Sequence, residues 1–197
     1  MLEELKYHID ADKIILEQKE IEAAMNEPAK FETLYNKYYE PILQFVYKRV
    51  DRKESAYDVA SQVFLNAMLK LKQFKFDGLP FSSWLYRIAI NEINQLYRKE
   101  KIRRTVRLEE DTLKYMADEI SGEESIEARY EKVAKVLGQL PEEDIQIIEL
   151  RFFERRAFSE IGDILDITEN NAKVKLYRII DKLKQLITTN HTIRIRS

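Results

Sequence analysis

Phe158-Ser-Glu-Ile-Gly-Asp-Ile-Leu-Asp-Ile-Thr-Glu-Asn-Asn-Ala-Lys-Val-Lys-Leu-Tyr-Arg178 reads as two helices meeting at a tight turn. Ile161, Ile164 and Leu165 recur at helical spacing and anchor a short first helix. Asp166-Ile167-Thr168 makes the turn, and the Thr168 hydroxyl suits the N-cap of a second helix. Beyond it Ala172, Leu176, Ile179, Ile180 and Leu183 define the inward stripe of this longer helix. Asn170, Asn171, Lys173, Val174, Tyr177 and Arg178 fan across the other side. Asn and Arg can pair bidentately with adenine and guanine edges, Val can pack on a thymine methyl, and Lys and Tyr suit phosphates. A helix-turn-helix whose second helix carries this set fits a DNA major groove.

Upstream, Leu140-Pro141-Glu142-Glu143-Asp144 predicts a helix start, with Pro141 at the first helical position and carboxylates at the positive end of the dipole. Further back the charge changes sign abruptly. From Arg98 to Arg107 the chain is basic, whereas from Glu109 to Glu131 nine acids stand against Lys114 and Arg129 alone. Asp118-Glu-Ile-Ser-Gly-Glu-Glu124 is too polar to offset its ordering entropy by burial. Residues 105–126 are therefore expected to be a flexible acidic linker. It separates a helical domain over 28–104 from a helix-turn-helix domain over 127–187, with a tail at 188–197.

The first of these domains shows three helical patterns. Phe31, Leu34, Tyr35, Tyr38, Ile42, Phe45, Val46 and Arg49 make one stripe, and Val59, Val63, Phe64, Ala67 and Leu71 make a second. The third helix, from about Phe81 to Lys101, comes after the breaker loop Phe74-Lys-Phe-Asp-Gly-Leu-Pro80. It has two apolar sides, Leu85/Ile88/Ala89/Leu96 and Tyr86/Ile90/Ile93/Tyr97. Its remaining stripe carries Trp84, Arg87, Asn91, Gln95 and Arg98, a stacking ring with guanidinium and amide groups that suit an unstacked base and its backbone. Residues 1–27 contain Ile14, Ile15, Leu16, Ile21 and Met25, which suggests an accessory helix.

Composition agrees with an all-α chain. Four glycines and four prolines in 197 residues are about a third of the ordinary share of roughly 12%, too few for a sandwich or propeller. The absence of cysteine removes disulfides and thiolate chemistry. His8 and His191 lie near the termini, and no glycine-rich phosphate loop is present, so neither a metal site, a cofactor nor catalysis is expected. The N-terminus lacks a signal-peptide layout and no apolar run approaches the ~18 residues of a membrane span. A cytoplasmic location without membrane insertion is the expectation.

Four blocks, taken in order, resemble the sigma factors of bacterial RNA polymerase, in particular the small extracytoplasmic-function (ECF) group of the sigma-70 family. They are Phe31-Glu-Thr-Leu-Tyr-Asn-Lys-Tyr-Tyr39, Asp58-Val-Ala-Ser-Gln-Val-Phe64, Phe81-Ser-Ser-Trp-Leu-Tyr-Arg-Ile-Ala-Ile-Asn91, and Leu140-Pro141 through Leu183. The resemblance spans about Glu27 to Ile187. It implies a region-two helical bundle that binds the core polymerase and melts the minus-ten element, and a region-four helix-turn-helix that reads the minus-thirty-five element.

By that resemblance Asp58, Ser61, Gln62 and Phe64 are core-polymerase interface positions. A flipped minus-ten base is held near Phe74 and Asp77 with Asn91 across from it, and the face of Trp84, Arg87, Gln95 and Arg98 read from helical spacing is placed in the same site. The minus-thirty-five readers are Asn171, Lys173, Val174, Lys175, Tyr177 and Arg178, with Arg155 and Arg156 near phosphates. Three departures stand out. Ser61-Gln62 replaces a usual Gln-Glu, Asp166 stands where Gly is common, and Val174 replaces a usual Ser. The implied partners are core RNA polymerase, promoter DNA and an anti-sigma factor, with no small-molecule substrate. The alternative from the residues alone is a stand-alone helix-turn-helix regulator of duplex DNA.

Overall fold

The computed structural model describes residues 11–76, 78–100, 137 and 140–194. The expected linker at 105–126 lies outside them. The chain divides into two units, each all-helical among the described residues.

The first unit holds four helices: α1 (Ala11–Asn26), α2 (Phe31–Tyr47), α3 (Lys53–Lys70) and α4 (Phe81–Glu100). The three expected helices are thus joined by α1, so the described part of the N-terminal extension is helical over Ala11–Asn26. α1 packs on α2 and on the 3-10 turn Leu71–Gln73, burying Ile21 and Ala24. The α2 stripe is buried at Phe31, Leu34, Ile42, Phe45 and Val46, and the α3 stripe at Val59, Val63, Phe64, Ala67 and Leu71. Tyr35, expected on the α2 stripe, is instead exposed at its edge. It stacks on Tyr39 at 4.9 Å and meets the edge of Phe64 at 4.9 Å.

Both apolar sides of α4 are used. Leu85, Ile88 and Ala89 are buried, as are Tyr86, Ile90 and Ile93, because α2 and α3 both pack against this helix. Tyr86 meets Phe45 edge-on at 4.6 Å, a geometry that aromatic quadrupoles favour. The α2 C-terminus is closed by Arg49, which is 1% exposed. Its guanidinium lies 3.5 Å from the Phe45 ring centroid and donates to the Phe45 carbonyl at 2.7 Å. The Tyr97 hydroxyl donates to the Arg49 carbonyl. A cation there meets both a ring face and the negative end of the helix dipole.

The C-terminal helices are α5 (Glu142–Ile148), a π-helical turn at Glu149–Phe153, α6 (Phe158–Leu165) and α7 (Glu169–Arg194). Pro141 is the N-cap of α5 rather than its first helical residue, and Glu142, Glu143 and Asp144 fill the first turn. The α6 N-terminus is satisfied by Glu160, whose carboxylate accepts the Ala157 N–H at 3.0 Å, the reach-back half of a capping box. Asp166 ends α6 with φ +57°, a conformation that Asp adopts more readily than most residues. Gly162 makes the turn tight: a Cβ there would stand 2.8 Å from the Ile167 carbonyl oxygen and 3.0 Å from the Glu169 nitrogen. Helix α7 runs on through Arg194, into the expected tail.

Candidate nucleic-acid interface

The reading face of α7 is set by its cap and its buried stripe. The Thr168 hydroxyl accepts the Asn171 N–H at 3.2 Å and fixes where the helix begins. Ala172, Leu176, Ile179, Ile180 and Leu183 are buried. At ~100° per residue this leaves Asn171, Lys173, Val174, Tyr177 and Arg178 exposed together, as the sequence predicts. Val174 and Tyr177 are 37% and 40% exposed, so apolar surface sits among donors, as base-edge and methyl contacts require.

Two expected positions, Lys175 and Arg156, have partners within the fold, and a third, Arg155, is exposed. Lys175 is half-buried, its Nζ 3.9 Å from the Glu143 carboxylate of α5. Arg156 is half-buried and structural: its Nη1 donates to Glu160 at 3.0 Å, while its carbonyl accepts from Arg151 at 2.9 Å. That fixes the loop into α6, so its guanidinium is engaged within the fold. Arg155 is exposed, with φ +51°.

The second constellation lies at α4 and the loop before it. Asn91, Gln95 and Arg98 are exposed along one line of α4, while Trp84 and Arg87 are half-buried. Trp84 is part of an aromatic cluster, its ring 5.1 Å from Phe74 and 5.4 Å from Phe81. Phe74 and Phe81 meet edge-on at 5.3 Å. One side of the indole therefore serves the core, and part of it faces outward beside the half-buried Phe74. Gly78, with φ +87°, lets the loop turn into α4. Asp77 lies outside the described residues.

Sequence reading missed what anchors this site. Glu17 of α1 accepts the Phe81 N–H at 2.7 Å, Lys37 Nζ at 3.0 Å, and the Tyr38 hydroxyl. Partial burial disfavours the Lys37 ammonium, but the Glu17 and Glu20 carboxylates outweigh it and hold its pKa above the ordinary lysine value. No local pattern links Glu17 to Phe81, since the pairing is purely tertiary.

The outer face of α3 forms a third surface. Asp58, Ser61 and Gln62 are exposed on it, as expected of an interface. Phe64 is not: it is buried against Tyr35 and Tyr39, because its place in the turn is on the core stripe. Tyr57, Leu65, Met68 and Leu69 take its place outside, Leu69 being 67% exposed. The signal for these four was present, because α3 carries apolar residues off its buried stripe, as a partner-covered helix does.

Comparison with known proteins accounts for both units. The model of Sigma-70 region 2 matches residues 34–103 and that of Sigma-70 region 4 matches residues 136–185. The ECF RNA polymerase sigma factor BldN of Streptomyces coelicolor is 26% identical over 180 residues, covering 90% of this chain and 68% of that protein. SigW of Bacillus subtilis, also an ECF sigma factor, is 28% identical over 165 residues, covering 79% of this chain and 87% of its own length. The solved structure of CnrH in complex with the cytosolic domain of CnrY superposes with a TM-score of 0.57 at 20% identity, over 89% of this chain and 97% of that one. Two matched regions in family order, on the two helical units, leave the stand-alone regulator unfavoured. The chain belongs to the ECF group of the sigma-70 family, transcription initiation factors that direct RNA polymerase to promoters.

Proposed function

We propose a division of labour among the three surfaces. Helix α7 reads the minus-thirty-five element with Asn171, Lys173, Val174, Tyr177 and Arg178, and Arg155 lies near the phosphates. The loop 74–80 and the outer line of α4 hold the melted minus-ten strand: Phe74 and Trp84 stack on a base, while Arg87, Asn91, Gln95 and Arg98 track the backbone. The outer face of α3 docks on core polymerase, with Leu65, Met68 and Leu69 as its apolar centre and Asp58, Ser61 and Gln62 around them.

The observation that carries this reading is the α7 face, where five donor or methyl-contacting side chains are exposed over a fully buried stripe. The α3 patch supports the polymerase surface, since charge-poor apolar cores ringed by polar groups mark protein interfaces. An anti-sigma partner is consistent with the CnrH complex, in which a relative of this fold is held by another chain. The protein works in the cytoplasm, where polymerase is, and does no chemistry itself.

Gel filtration with bacterial core polymerase tests the docking surface. The protein co-elutes with core, and Leu69→Asp abolishes co-elution while its circular-dichroism melt stays unchanged. Co-elution undiminished by Leu69→Asp places the polymerase contact elsewhere.

A further inference from the structure

Helix α4 donates a hydrogen bond from its first residue to another helix. Its Phe81 N–H is one of the four amides that an α-helix leaves without an intrahelical partner, and Pro80, in the capping position, has no side-chain acceptor. The acceptor comes from 64 residues away: Glu17 Oε2 takes the Phe81 N–H at 2.7 Å. This carboxylate is 5% exposed. Its other oxygen is held by Lys37 and Tyr38 of α2. A negative group at the positive end of a helix is favourable there, and more so when screened from water. The Phe81 ring, in turn, packs between Phe74 and Trp84, and Tyr38 lies 5.9 Å from it. Backbone and ring of one residue thus join α1 to the aromatic cluster.

We propose that Glu17 is a positioning residue for promoter opening, a cap lent by α1 that sets the start of α4 and the aromatic cluster of the minus-ten site. It rests on the assignment of that site made above. Helix α1 is then a working part of the melting domain. Removing the Glu17 charge loosens the Phe74–Phe81–Trp84 cluster while leaving the outer face of α3 as it was.

The test uses the full chain with core polymerase on the DNA upstream of its own gene, scoring unpaired thymines by permanganate. Affinity for core is measured on the same samples, and the folded fraction by circular dichroism. Glu17→Gln, at equal folded fraction, slows opening about tenfold, the scale of a lost charge-assisted hydrogen bond, while core affinity stays within about twofold. Lys37→Gln, an exposed change that withdraws one donor from the carboxylate, slows opening about threefold. Opening within twofold of the parent in both variants overturns the proposal, as does an equal loss of opening and core affinity. If Glu17→Gln does not fold, Lys37→Gln alone decides. No opening by the parent protein, in contrast, overturns the minus-ten assignment itself.

Discussion

The α7 face comes from one unbroken stretch of chain, whereas the site proposed for the minus-ten strand is assembled from pieces up to 64 residues apart. In α7 the cap, the buried stripe and the exposed readers all lie between Thr168 and Leu183, so 3.6-residue periodicity alone orders them. At α4 the periodicity assigns the faces but not the bond at the entry of the helix, where Glu17, itself held by Lys37 and Tyr38, accepts the Phe81 N–H. A local reader can be exchanged residue by residue. A composite site is sensitive to changes far from the base it holds.

The largest expected effect falls in the composite domain. Phe45→Ala removes the ring shared by Tyr86 and Arg49 and should destabilise the first unit by about 3–5 kcal/mol, read from a denaturant melt. In the local motif, Gly162→Ala forces a Cβ against backbone rather than a yielding side chain. The cost should be about 2–3 kcal/mol, seen as loss of helix-turn-helix amide protection in hydrogen exchange. Unchanged protection would mean that the turn is looser than its geometry indicates.

Arg178→Ala touches no core contact and should leave the melt alone while weakening promoter binding by about 1–3 kcal/mol, measured by competition against nonspecific duplex. Thr168→Ala should cost about 1 kcal/mol of stability through the lost Asn171 bond. The smallest effect has the opposite sign. Arg155→Gly relieves a left-handed φ of 51° and should raise stability by about 0.5–1 kcal/mol, detectable as a shift of the urea midpoint.

The helix-turn-helix was nearly complete in the sequence because its determinants are local. Thr168 caps, Asp166 takes the left-handed turn and the five stripe residues are buried as expected. Periodicity also placed the α2 and α3 cores and the two apolar sides of α4. The two positions that differ came from the resemblance, which does not show which neighbour a side chain takes in this chain. Phe64 is buried on the core stripe where periodicity put it, and Arg156 closes a loop on Glu160. Helix α1 was suggested by its apolar residues, but Glu17 at Phe81 is a contact made by folding alone.

Run-off transcription with bacterial core polymerase, from the DNA upstream of the chain's own gene, separates promoter reading by α7 from polymerase docking. The parent protein should support a discrete transcript that Arg178→Ala greatly reduces, with equal polymerase co-elution by both proteins. A transcript of the same start and yield from Arg178→Ala would contradict the assignment of promoter reading to the α7 face.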